Sequence, residues 1–105
     1  MWKSEEDKLK LRRNPTVYKG YVNAGYTIQI FHEIGDNGVA IGVRSGLKDD
    51  PAPFVVWNYS MSSGDPWFYW GFYCDDKCEA ARAFVRKAQR LIGAQECVIW
   101  RQIGI

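Results

Sequence analysis

The chain has 105 residues, 47% of them hydrophobic and 25% charged, a composition that builds one globular domain with a modest core and excludes a disordered or collagen-like chain. Its net charge of +2 gives no global field, so electrostatic attraction must come from local clusters. The opening MWKSEEDKLKLRR is charged where a secretory signal needs an apolar run, and no stretch approaches the roughly 18 apolar residues of a membrane span, so the expected setting is the cytoplasm without membrane contact.

Residues 1–15 read as an N-terminal arm or short helix. Ser4 stands ahead of Glu5, Glu6 and Asp7 as a helix cap would, Leu9 and Leu11 alternate as in an extended segment, and Asn14-Pro15 ends whatever forms. Residues 16–105 read as a single α+β domain. Thr16 to Val22 and Tyr26 to Ile34 are predicted strands joined at Asn23-Ala24-Gly25, where asparagine and glycine tolerate the positive φ of a tight hairpin. Strict alternation places Tyr26, Ile28, Ile30, His32 and Ile34 on one face of the second strand, which should be the buried one.

Gly35-Asp36-Asn37-Gly38 predicts a second turn, followed by Val39, Ile41 and Val43 alternating with Ala40, Gly42 and Arg44. The small residues on the second of these faces leave room for something to approach. Ser45 to Pro53 reads as a loop, because Pro51 and Pro53 cannot continue a hydrogen-bonded ladder.

The stretch Phe54 to Cys74 carries Phe54, Trp57, Tyr59, Trp67, Phe68, Tyr69, Trp70, Phe72 and Tyr73, and reads as a hairpin turning at Ser62-Ser63-Gly64-Asp65. A helix follows from Asp76 to about Ile92, capped by Asp75 or Asp76, with Glu79 completing a D-x-x-E box and Gly93 as the stop. Cys78, Ala81, Phe84, Val85, Ala88, Leu91 and Ile92 fall within an arc of roughly 140°, the width of a face packed on a sheet. Arg82, Arg86 and Arg90 form a basic stripe opposite. Glu96 to Arg101 reads as a last strand.

Short, turn-like connections imply an antiparallel meander of five or six strands with one C-terminal amphipathic helix packed on one face. One helix covers one face only. In the strand after the serine turn, alternation separates Phe68, Trp70, Phe72 and Cys74 from Trp67, Tyr69, Gly71 and Tyr73. The first set is expected under the helix, because phenylalanine has no polar group to satisfy while tyrosine hydroxyls prefer a wet edge.

The second set is the leading functional candidate. Tryptophan, tyrosine and arginine dominate protein-binding hot spots, so Trp67, Tyr69 and Tyr73, with Trp57 and Tyr59 as cross-strand neighbours, are expected partner contacts. The competing structural role is that these rings simply cover the sheet. Aromatic strands with basic residues also suit single-stranded nucleic acid, and Lys19-Gly20-Tyr21-Val22 echoes part of an RNA-recognition signature. Against this, the βαββαβ order of that module is absent, the net charge is small, and Arg82, Arg86 and Arg90 are placed away from the sheet. Lys19 and those three arginines remain candidate contacts for nucleic acid or an acidic partner. A homodimer through a sheet edge or the aromatic face is a further possibility.

Three cysteines without an export signal fit free thiols better than a disulfide framework, and the sequon Asn58-Tyr59-Ser60 is then idle. Cys74, Cys78, Cys97 and His32 lack the paired spacing of a structural zinc site, so neither metal nor cofactor is expected. Cys78 and Cys97 suit core positions. Cys74 stands ahead of the helix, where the dipole lowers a thiol pKa, and it is the thiol a small cysteine-dependent enzyme would use. No nucleophile elbow or phosphate loop accompanies it, and the expectation is a non-enzymatic protein.

The order Tyr26-Thr27-Ile28, then Val55-Val56-Trp57, then Tyr69-Trp70-Gly71-Phe72-Tyr73 followed by Ala80, Ala81 and Phe84, resembles small accessory proteins of bacterial mobile elements, conjugative elements and phages among them. The likeness spans about residues 26 to 85 and carries no catalytic residues. It implies a compact protein that binds a host or element protein, a class that includes inhibitors of defence nucleases such as anti-CRISPR proteins.

Overall fold

The computed structural model describes residues 17–103, with side chains described to residue 94. The expected N-terminal arm therefore lies outside the described residues. Five strands, β1 (Val22–Asn23), β2 (Tyr26–Ile34), β3 (Asn37–Val43), β4 (Phe54–Ser60) and β5 (Trp67–Cys74), form one antiparallel sheet in sequence order, and α1 (Lys77–Ile103) packs across β3, β4 and β5. This is the expected α+β meander.

Local chemistry sets the turns. Ala24 and Gly25 have φ of +51° and +85°, the mirror-image turn that matches the twist of a hairpin. The loop after β3 is fixed by Arg44, whose guanidinium donates to both carboxylate oxygens of Asp50 at 2.8 Å and lies 4.6 Å from the centre of the Tyr26 ring. Tyr26 in turn donates its hydroxyl proton to the Ala52 carbonyl at 2.7 Å. Asp76 caps α1, its Oδ1 accepting the Cys78 N–H at 2.8 Å.

Both faces of the sheet are buried, by different means. On the convex face α1 covers Val39, Val56, Cys74, Ala80 and Ala83, with Ile41, Phe54, Phe84 and Leu91 at the border. On the concave face Val17, Tyr26, Ile28, Ala40, Val55, Trp57, Tyr59 and Met61 form a core with Tyr21 and Phe68, and among the described residues no residue of α1 joins it. The sheet curls to close it. Tyr21 meets Phe68 at 6.0 Å and Tyr26 meets Tyr73 at 6.0 Å, so rings from the β1–β2 side reach β5 across the hollow.

Several expectations are corrected. The first strand is two residues, because the Tyr21 N–H bonds back to the Tyr18 carbonyl at 3.0 Å in a turn through Gly20, at φ +98°, although the Gly20 N–H and the Tyr21 carbonyl still bond Ile28 of β2 at 2.8 Å. A bulge between Ile28 and Ile30 breaks the alternation in β2. Ile28 is fully buried on the concave face, whereas Ile30 pairs with Ile41 on the other side and is half exposed. The room expected beside Ala40 and Gly42 is filled from within: Tyr26 and Trp57 lie on Gly42, and Tyr59 lies on Gly38 on the same face.

The helix also departs from its expected roll and length. Cys78, Ala81, Val85 and Ile92 are exposed, and Ala80, Ala83, Phe84 and Leu91 face the sheet. Lys87 supplies the reason, since its ammonium donates to Asn58 Oδ1 at 2.8 Å and to the Trp70 carbonyl at 2.9 Å and so turns its own face inward. No strand forms at 96–101, because α1 runs on through Gly93 to Ile103. One interior glycine costs about 1 kcal/mol, too little to end a helix followed by Ala94, Gln95 and Glu96.

A candidate partner-binding surface on β5 and α1

Strand β5 is an edge strand, and its register with β4 places each of its rings. Ser60 pairs with Trp67, Asn58 with Tyr69, Val56 with Phe72 and Phe54 with Cys74, so Trp67, Tyr69 and Phe72 stand on the helix side. Tyr59 pairs with Phe68 and Val55 with Tyr73, which puts Phe68 and Tyr73 on the concave side. Neither alternating set predicted from the sequence survives. The cause is a bulge in which Trp70 and Gly71 together oppose Trp57 and shift the register by one residue.

At that bulge Trp70 has φ +52°, the left-handed conformation that such bulges normally give to glycine. Gly71, the next residue, is needed for space, since a Cβ there would meet Tyr73 Cε1 at 2.7 Å and Trp57 Nε1 at 3.0 Å. Trp70 is 75% exposed and Trp67 66% exposed, while the Tyr69 ring supports Trp70 edge-on at 4.9 Å. A strained backbone thus holds an indole out into solvent.

The expected contact residues therefore separate. Trp57 and Tyr59, at 4% and 0% exposure, are concave-core residues, and the Tyr59 hydroxyl donates to Glu33 Oε1 at 2.8 Å. Tyr73 is half exposed but lies on the concave side. Trp67 and Tyr69, expected to face away from the helix, stand instead on the convex, helix side, where Phe72 lies as expected but partly exposed and where exposed Trp70 lines one cleft with Tyr69. Only the bulge reveals this, and its one signal in the sequence is Gly71 inside an otherwise aromatic strand.

The arginines also move relative to expectation. Arg86 and Lys87 line a cleft with Phe72, and Lys87 and Arg90 line a second with Asn37, Asn58, Tyr69, Trp70, Leu91 and Ala94. The basic side of α1 therefore borders the aromatic side of β5. From Ala80 to Ala94 the helix carries Arg82, Arg86, Lys87 and Arg90 and no acidic residue. Burial, together with Arg90 and Arg86 nearby, pushes the Lys87 pKa down, as expected of a cation crowded by cations. Arg82 lines an apolar cleft with Ala81 and Val85 on the flank away from β5. Lys19 lies in the turn before β1, whose Tyr21 packs on the concave side, so it does not join the arginines.

Cys74 is buried, and its pKa is raised, first by burial and then by the charges of Glu79, Asp75 and Asp76, against the lowering expected from the helix dipole. Its thiol faces the Asp76 carbonyl at 3.6 Å. Cys78 is exposed rather than in the core, and the Cys97 side chain lies outside the described ones. His32 is exposed on β2, and among the described residues no three His, Cys, Asp or Glu side chains cluster as metal ligands. No helix among them is long and apolar enough to cross a membrane. Compared with protein-family models, curated proteins and solved structures, the chain matches none.

Proposed function

We propose that this domain is a non-enzymatic protein-binding module whose contact surface is the convex side of β5 together with the adjoining basic flank of α1. Trp67, Tyr69 and Trp70 are the anchors, and Arg86 and Arg90 select an acidic partner. The observation that carries the reading is Trp70: a large apolar ring held in a left-handed backbone and left 75% exposed serves neither the core nor the chain's local preferences. Such conflicts concentrate where a surface is kept for a partner. A two-fold copy on the same face would set Arg86, Lys87 and Arg90 against their own images, so a foreign acidic surface fits better than self-association. The resemblance to mobile-element accessory proteins names the partner class, a host or element protein, and makes inhibition of a defence protein the role to test.

The experiment is capture from a nuclease-treated bacterial lysate by wild type and by Trp67→Ala. The proposal expects a protein retained by the first and lost by the second while circular dichroism stays native. Equal capture by both folded proteins would remove Trp67 from the contact surface. A second reading, single-stranded nucleic acid, gains from Arg86 and Arg90 lying beside Phe72 and Trp70. It requires retention on single-stranded DNA or RNA that falls steeply with salt, and absence of such retention at low salt removes it.

A further inference from the structure

The cleft between Trp70 and Arg90 is more than a neutral seam between strand and helix. Its volume is about 290 Å³, the space of roughly ten waters at about 30 Å³ each, which holds one extended side chain and some solvent. Two cations, Lys87 and Arg90, face it with the amides of Asn37 and Asn58 and the ring of Tyr69, and among the described residues no carboxylate lines it. Lys87 gives two of its three protons to Asn58 and to the Trp70 carbonyl, which fixes the ammonium and leaves one proton for a ligand. Arg90 has no acidic partner among the described residues, so its planar fork is available.

We propose that this cleft is a pocket for one carboxylate of the partner, a glutamate or aspartate side chain of an extended acidic segment, with its methylene stem against Trp70 and its oxygens shared by Arg90 and Lys87. The inference rests on the protein-binding reading and supplies its anchor point. A carboxylate fits better than a phosphate because the features that usually cradle a phosphate, a glycine-rich turn and a helix N-terminus, are not among the described lining. Among the described residues no glycine lines the cleft, and the N-terminus of α1 at Lys77 is far along the helix from Arg90. Arriving negative charge also relieves the crowding of Lys87 by Arg90 and Arg86. Binding therefore acts to raise the Lys87 pKa back from its lowered value.

The test uses NMR spectra of the full chain titrated with acetyl-Glu-amide, with acetyl-Gln-amide as the neutral isostere and with inorganic phosphate and uridine monophosphate as the phosphate arms. The glutamate probe should bind in the millimolar range, shift the Asn58 side-chain amide and the Trp70 indole N–H, and raise the Lys87 titration midpoint. Arg90→Gln, at an exposed position, should weaken it at least fivefold, and Arg90→Lys should restore part of the loss. Equal shifts from the glutamine probe, shifts confined to other residues, or no shift at all would overturn the pocket. If partner capture still fails in Trp67→Ala after such a result, the surface stands and only the pocket falls. Tighter binding of uridine monophosphate than of the glutamate probe would overturn both in favour of nucleic acid.

Discussion

Replacing Trp70 by glycine separates a ring kept for binding from one kept for stability. A left-handed backbone costs a residue with a Cβ about 1–2 kcal/mol, and glycine removes that strain. Against this, glycine gives the unfolded chain extra freedom worth about 0.5–1 kcal/mol. Losing the edge-on contact with Tyr69 at 4.9 Å removes about 0.5–1.5 kcal/mol more. Because 75% of Trp70 is already in water, little burial is lost, and the Lys87 bond goes to a carbonyl that glycine retains. The terms nearly cancel, so Trp70→Gly should lie within about 1 kcal/mol of wild type, whereas truncating a structural tryptophan costs about 3–5 kcal/mol. Urea unfolding followed by far-UV circular dichroism reads the difference. Trp70→Ala, which loses the same contacts but keeps the strain, should be no more stable than Trp70→Gly. A loss above about 3 kcal/mol in the glycine variant, or an alanine variant clearly more stable than the glycine one, would refute the reasoning.

Three further outcomes follow from the packing and the charges. Gly38→Ala should destabilise by about 1–3 kcal/mol in the same assay, since its methyl would meet Tyr59 Cε2 and the hydroxyl at 2.5 Å in a ring already fixed by Glu33. The Asp50 pKa is lowered first by its hydrogen bond from Arg44 and then by the Ala52 N–H, so its contribution is present in full above about pH 4, the unfolded carboxyl value. That contribution is lost as pH falls through the lower folded value, so Asp50→Asn should flatten the acid limb of urea midpoints measured from neutral pH downward. In a Cys97→Ser background, iodoacetamide at neutral pH should label exposed Cys78 well before Cys74, whose thiol is buried and raised in pKa. Faster labelling of Cys74 would reopen the enzymatic reading.

Strand order, both aromatic strands and the Asp76 cap were legible because they depend on local signals: β-branched and aromatic runs, turn residues, and a capping carboxylate. What alternation could not supply was the position of the bulges. One extra residue near Gln29 and another at Trp70 each invert the faces on one side of the bulge relative to the other, so Ile30 lies opposite Ile28, and Trp67, Phe68 and Tyr69 lie on the faces opposite to those expected while Phe72, Tyr73 and Cys74 keep theirs. The second core was hidden for a related reason. Ala40 and Gly42 read as a face with room beside it, whereas curling brings Tyr26 and Trp57 down onto Gly42. Helix roll depended on Lys87, a cation whose bonds to β4 and β5 outweigh the apolar arc through Cys78, Ala81 and Val85. Gly93 marks a stop by its residue type, but the spacing of Leu91, Ala94 and Val98 continues a helical period through it.

The two sides of β5 make opposite predictions, and one comparison decides between them. Trp70→Gly and Arg90→Glu alter the convex surface, while Tyr73→Ala alters the concave side of the same strand. In capture from nuclease-treated bacterial lysate, wild type and Tyr73→Ala should retain the same acidic protein, and Trp70→Gly and Arg90→Glu should both lose it. Retention by the two convex variants together with loss in Tyr73→Ala would place the partner on the other face and contradict the account.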